Sequence, residues 1–229
     1  MGLARKRVLL SWSSGKDSAW ALHLLRQCDD VEVVALVTTF NEAFGRVAMH
    51  AVRRELVRMQ AERAGLPLWE IPLPWPCSNE LYEAQMKSVC ERAVAEGIDQ
   101  VAFGDLYLRD IRAYREKQLA GTGLEPIFPV WDIPTRGLAG EMIAAGVKAK
   151  LTCVDPRKLD ESFAGRDFDE ALIASLPEGI DPCGENGEFH SFCYASPVFS
   201  EAIAVTVGEV VTRDGFCFAD LLPGVLVSS

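Results

Sequence analysis

The sequence predicts an α/β protein: a Rossmann-like open parallel sheet followed by a smaller α+β C-terminal part. Two observations carry this. Apolar, β-branched runs alternate with helical stretches four times in about the first 100 residues, the pattern of a parallel sheet built by right-handed crossovers. Polar, glycine-bearing segments follow the predicted strands directly, where ligands bind in such sheets. From Pro126 the texture changes, with Pro129 and Pro134 close behind, so the chain divides into 1–125 and 126–229.

The apolar run at 8–10 ends in a Ser/Gly cluster and reads as the first strand; residues 17–27 then carry Trp20, Ala21, Leu24 and Leu25 at helical spacing. Residues 31–39 (VEVVALVTT) are a run of the kind buried on both faces of a parallel sheet. A polar loop at 41–46 leads to a helix over 50–64, with Val52, Leu56 and Met59 in one stripe and Gly65 as its stop. A third strand is read at 66–73 despite Pro67 and Pro72, a long helix at 79–96 ended by Gly97, and a fourth strand at 99–103. In the second part, 139–145 and 167–176 read as helical and 147–154, 189–194 and 203–211 as extended, with a hairpin turn at 212–216.

A net charge of -10 argues against a broad nucleic-acid surface, because phosphate neutralisation needs clustered Lys and Arg. Residues 1–7 are basic, but the apolar run after them is too short for a signal-peptide core or a membrane span. Cys28, Cys77, Cys90, Cys153, Cys183, Cys193 and Cys217 form no CxxC pair and read as reduced thiols. A cytoplasmic protein without structural zinc is expected, with no membrane partner, nucleic acid disfavoured and a homodimer left open.

Ser13-Ser14-Gly15-Lys16-Asp17-Ser18 lies between a buried strand and a helix start, where free N–H groups and the positive helix end make an anion site. Gly15 permits close approach of an oxyanion or a positive φ, the serines donate hydroxyls, Lys16 adds positive charge, and Asp17 suits magnesium. The common P-loop differs: Leu10 stands where its first glycine would be. The plainer alternative is a polar loop whose Ser14 or Asp17 caps the helix. Gly104-Asp105, after the fourth strand, fits a magnesium or nucleotide contact, or a simple turn. Arg109, Arg112 and Arg115 lie near one helical face and suit a phosphate or acidic substrate, or, with Asp110 and Glu116, a solvated ion-paired face. Gly184-Glu185-Asn186-Gly187-Glu188 packs two glycines, two carboxylates and an amide into five residues, either a proton-handling loop or an Asn-Gly turn. Cys183 has no local base to make it a nucleophile.

The hexapeptide SSGKDS resembles the SGGKDS signature of PP-loop, or N-type, ATP pyrophosphatases, with Ser14 where glycine is usual. With Thr38-Thr39-Phe40-Asn41-Glu42, Met49-His50, Gly104-Asp105 followed by Arg112 and Arg115-Glu116, and DPCGENGEF at 181–189, nearly the whole chain is similar to the diphthine–ammonia ligase family. The wording GENGEFHSF leans toward that family's bacterial relatives, where the acceptor would be something other than diphthine. The resemblance implies a nucleotide-binding domain over 1–125, a substrate-binding domain over 126–229, ATP and Mg2+, and a carboxylate activated as an acyl adenylate that ammonia attacks. The acceptor carboxylate would belong to a small molecule or a protein side chain. The implied catalytic residues are Lys16, Asp17, Asp105, Glu185 and Glu188, with magnesium on Asp17 and Asp105. Nucleotide contacts would come from Ser11, Ser13, Ser14, Gly15, Lys16, Ser18, Thr38, Thr39, Met49, His50 and Gly104. Acceptor contacts would come from Arg112, Arg115, Glu116, Gly184, Asn186 and Gly187. A tRNA-thiolating PP-loop enzyme would need catalytic cysteines and a basic surface. A nucleotide sensor would bind ATP without turnover.

Overall fold

The computed structural model describes residues 4–47 and 51–224. The chain opens with β1 (Lys6–Ser11), α1 (Lys16–Leu25), β2 (Val31–Asn41), a two-residue β3 (Arg46–Val47) and α2 (Arg54–Ala64). Then come β4 (Leu68–Leu73), α3 (Asn79–Ala95), β5 (Gln100–Ala102), α4 (Arg109–Leu119) and β6 (Glu125–Ile127). Leu36 and Val37 of β2 pair with both β1 and β4, which therefore flank it on opposite sides. The parallel order is β4-β2-β1-β5-β6, with β3 antiparallel to the far end of β2. The chain runs outward from β1 to β4 and then crosses to β5, so the switch point lies between the carboxyl ends of β1 and β5.

Side chains of β1 alternate between two cores, as the pleat requires. Val8 and Leu10 pack in a core with Trp20, Leu22 and Leu56, whereas Leu9 faces a smaller one with Val37, Val89, Val101 and Phe103. After α5 (Thr135–Ala144), the strands β7 (Lys148–Val154), β8 (Phe189–Ala195), β9 (Val205–Arg213) and β10 (Phe216–Pro223) form an antiparallel sheet in the order β8-β7-β10-β9. Leu151, Phe192 and Leu221 of this sheet belong to the same core as Val8 and Leu10. The two sheets thus share one hydrophobic interior.

Several boundaries differ from the sequence reading for identifiable reasons. The helix read over 50–64 starts at Arg54, and the one read over 167–176 is α6 (Glu170–Ser175), because Asp169 caps it by accepting from the Leu172 N–H at 2.7 Å. β6 straddles residue 126 and is the edge strand of the first sheet, pairing with β5. Of the two roles open to Gly15, close approach or a positive φ, the backbone takes the first. Gly15 is extended, at φ -84°, and the left-handed residue is Ser14, at φ 69°. Ser14 is fully buried and its Oγ has no hydrogen-bond partner. Ser14→Gly, which relieves both costs, is expected to raise stability by about 1 kcal/mol, measured as the urea midpoint at unchanged m-value.

The first sheet is also pinned to the second electrostatically. Asp220 of β10 accepts from Arg46 of β3 at 2.7 Å and from Arg53, at the start of α2, at 2.5 Å. Burial pushes the Asp220 carboxyl up, but the bonds from Arg53 and Arg46 outweigh it and hold it down at about 2. The folded-state value is depressed, so the clamp is whole above the unfolded Asp value of about 3.9 and is lost as pH falls through about 2. Asp220→Asn should therefore cost about 2 kcal/mol at pH 7 in urea unfolding, with the gap to wild type closing between about pH 4 and pH 2.

Candidate active site

The β1–α1 turn is held open by residues distant in sequence. Gln60 of α2, fully buried, accepts from Trp12 Nε1 at 2.8 Å and donates to the carbonyls of Ser14 at 2.9 Å and Cys193 at 2.6 Å. The Cys193 N–H of β8 donates to the Ser14 carbonyl at 2.9 Å, and Ser191 Oγ accepts from the Lys16 N–H at 3.3 Å. A Cβ on Gly15 would stand 3.2 Å from the Ser191 carbonyl, so the need for glycine here is close approach by β8. Ser13 Oγ accepts from the Gly15 N–H, and Ser18 Oγ donates to the Gly15 carbonyl at 3.0 Å. Thr38, at the end of β2, donates to the Trp12 carbonyl at 2.7 Å.

Lys16 is 1% exposed, and its Nζ donates to Asp17 at 2.9 Å and to the Cys183 carbonyl at 2.5 Å, over the rings of Phe168 and Phe189. Burial works against the ammonium, but Asp17, Cys183 and Glu185 outweigh it and keep Lys16 protonated. Burial also pushes the Asp17 carboxyl up, against the pull of Lys16.

Gly104 follows β5, and a Cβ there would lie 3.2 Å from the backbone of Asp17 and Ser18. Its absent side chain brings the β5 loop directly against the first turn of α1. Asp105 accepts from Arg115 Nε at 3.5 Å; burial raises its carboxyl and Arg115 opposes the rise. Glu185 accepts from the N–H groups of Leu106 at 2.8 Å and Tyr107 at 3.3 Å. Burial pushes Glu185 up to about 7 against these bonds, helped by the charges of Asp17 and Asp105. The loop carrying Glu185 is organised by Asp181, which accepts from the Cys183 N–H at 2.7 Å, from Thr135 at 2.8 Å and from Tyr107 Oη at 3.2 Å.

Ser11, Ser13, Lys16, Asp17, Asp105 and Glu185 border one cavity of about 220 Å³, together with Ser18, Gly104, Arg115, Gly184 and Ser191. A chamber of about 1020 Å³ adjoins it, shares Ser11, Ser13, Asp105, Arg115, Glu185 and His190, and reaches Thr38 and Thr39. His190 is held down to about 4 by burial and by Lys16, so a neutral imidazole borders both spaces at neutral pH. The loops after β1 and β5 and the 181–188 loop thus meet at the switch point. Among the described residues no three His, Cys, Asp or Glu side chains form a self-sufficient metal nest. The carboxylates of Asp17, Asp105 and Glu185 nonetheless border one space, a donor set that fits a cation brought in on phosphates.

Other expected site residues brace the site loop or lie elsewhere. Glu188, 2% exposed, accepts from the Asp181 N–H and from Asn186 Nδ2 at 3.1 Å each; it braces the loop and borders neither cavity. The Asn186 carbonyl accepts from Lys158, and Gly187 is a turn residue at φ 79°. Gly184 is required twice over, by its φ of 75° and because a Cβ would lie 2.8 Å from the Phe189 carbonyl. Arg112 pairs with Glu116 at 2.8 Å and stacks on Phe128 and Trp131, away from both cavities. Met49 and His50 lie outside the described residues. Gln60, Ser191 and Tyr107 carry no local signal of their roles, since each acts through partners far off in the chain. All seven cysteines are free, and burial pushes the Cys183 thiol up to about 12, which removes the thiolate a sulfur-transfer site needs. No described helix is long and apolar enough to cross a membrane.

The diphthamide synthase N-terminal domain matches residues 6–126 and the diphthamide synthase C-terminal domain residues 135–221. The chain is 31% identical to the diphthine–ammonia ligase of Mus musculus and 27% to that of Bos taurus, each over 93% of this chain and 88% of the relative. With the Homo sapiens enzyme of the same name it shares 31% over 62% of this chain and 53% of the relative. Among solved structures, the U34-tRNA thiolase NcsA from Methanococcus maripaludis is similar at 17% identity and a TM-score of 0.38, over 62% of this chain and 58% of that one. The chain belongs to the diphthine–ammonia ligase family.

Proposed function

We propose that this ATP-dependent ligase activates a substrate carboxylate as an acyl adenylate and converts it to an amide with ammonia. The observation that carries the reading is the meeting of Lys16, Asp17, Asp105 and Glu185, from three separate loops, around one cavity at the switch point. A carboxylate oxygen attacks the α-phosphorus, the bond to the bridging oxygen breaks, and pyrophosphate leaves against Lys16 and the start of α1. Ammonia then attacks the acyl carbon and the C–O bond to AMP breaks. Glu185 takes the proton that ammonium must lose, because a group near 7 is divided between acid and base at neutral pH. Magnesium, carried by ATP and held by Asp17 and Asp105, would neutralise phosphate charge. The inert Cys183 thiol and the net charge of -10 favour nitrogen over sulfur transfer to tRNA. We place the reaction in the cytoplasm, where free thiols persist, and assign nucleotide binding to 1–125, with 126–229 supplying the Glu185 loop that reaches the reacting carboxylate beside Arg115.

Pyrophosphate release with ammonia and candidate carboxylates tests the reading; ATP binding without cleavage under any acceptor would leave a nucleotide sensor instead. Asp17→Asn should lower AMP formation by about 100-fold or more, and unchanged turnover would remove Asp17 from the site. The ammonia-dependent step should speed up as pH rises through about 7, since Glu185 acts only when deprotonated, and Glu185→Gln should be slow and flat across that range.

A further inference from the structure

The larger chamber has a construction that the adenylation chemistry does not account for. Over the first ten residues of α3, every residue is exposed except Tyr82 and Met86, one helical turn apart. The whole of α3 buries only Val89, Cys90 and Ala93, and α4 buries only Leu119. Tyr82 and Met86 of α3, and Ile111 and Tyr114 of α4, border the chamber of about 1020 Å³, whose floor is the apolar sheet surface of Val101 and Phe103. Ile111 is 36% and Tyr114 42% exposed, so this apolar stripe of α4 faces the space, while Met86 of α3 borders it from the edge of the smaller core. The volume is at the upper end of what a single ligand occupies, about 300 to 1000 Å³. A nucleoside against Thr38 and Thr39 leaves room for a second body. Arg115 stands at the junction with the smaller cavity, its one ion pair among the described residues the 3.5 Å contact with Asp105.

We propose that the space between α3 and α4 takes the body of the acceptor, and that the acceptor is a small monocarboxylic acid with an apolar chain or ring, its carboxylate held by Arg115. The inference rests on the adenylation reading. A second carboxylate close to the first would meet Asp105 and Glu185 at the junction; Lys87 and Lys117 also border the chamber, beside Glu83 and with Lys87 3.9 Å from Glu91, and the diacids in the test read whether they are used. An uncharged body would instead cover Tyr82, Met86, Ile111 and Tyr114.

The test is ATP–pyrophosphate exchange driven by butanoate, hexanoate, octanoate and 3-phenylpropanoate, set against succinate and glutamate. Exchange should favour the apolar acids, with KM falling about fourfold per added methylene until the chamber is filled. Met86→Trp, which narrows the space, should raise KM for octanoate at least tenfold while the affinity for ATP stays within twofold of wild type. Exchange driven only by the polar diacids would overturn the acceptor class, as would an unchanged octanoate KM in a Met86→Trp protein that binds ATP normally. Exchange with none of these acids, but with a protein-borne carboxylate, would sink the small-acid inference and keep adenylation. ATP binding with no exchange under either kind of acceptor would sink both.

Discussion

The site depends on the buried Lys16–Asp17 pair and its third member, the carbonyl of Cys183. An ammonium that is 1% exposed is stable only if its charge is met by oxygen atoms, and here they come from its neighbour and from a loop 167 positions away. The cation at the start of α1 is therefore set in place by the second half of the chain. Asp181 fixes the Cys183 carbonyl by gathering its own loop against Tyr107 and Thr135. Through these bonds α1, the β5–α4 loop and the start of α5 take up one arrangement.

Around this tie the smaller cavity is polar and crowded with charge, and the larger chamber is broad and mostly apolar. The division suits a reaction in which one partner is a charged leaving group and the other is recognised by its bulk. Proton handling stays near the charged cavity, where the low effective dielectric strengthens each interaction. Glu185 and His190 show the two directions in which such a site moves side chains: burial raises the carboxyl and lowers the imidazole.

The parallel sheet was legible because each strand buried on both faces announces itself as an apolar run, and the residues after β1, β2 and β5 stand where such a sheet puts ligands. SSGKDS, Gly104-Asp105 and the 184–188 loop could be picked out as local oddities of composition. Their grouping into one cavity could not be read from spacing, because it is made by tertiary contacts. Ser14 and Gly15 show the limit of local reasoning: glycine suited either close approach or a positive φ, and the structure uses it to admit β8 while serine takes the positive φ. Glu188 looked as reactive as Glu185 in the sequence, but burial and two donors make it a brace. β3 and β6, two and three residues long, are too short to carry a periodicity.

Gln60 has a wider meaning for how this architecture can be altered. Its amide joins Trp12 and Ser14 of the β1–α1 loop to Cys193 of the second sheet, with every polar atom of the side chain engaged inside a closed interior. A recombinant that borrowed residues 135–221 from a relative would import a new β8 against an old α2. Such a graft would have to set the backbone carbonyl of position 193 within reach of Gln60 and bring a hydroxyl at position 191 to the Lys16 N–H.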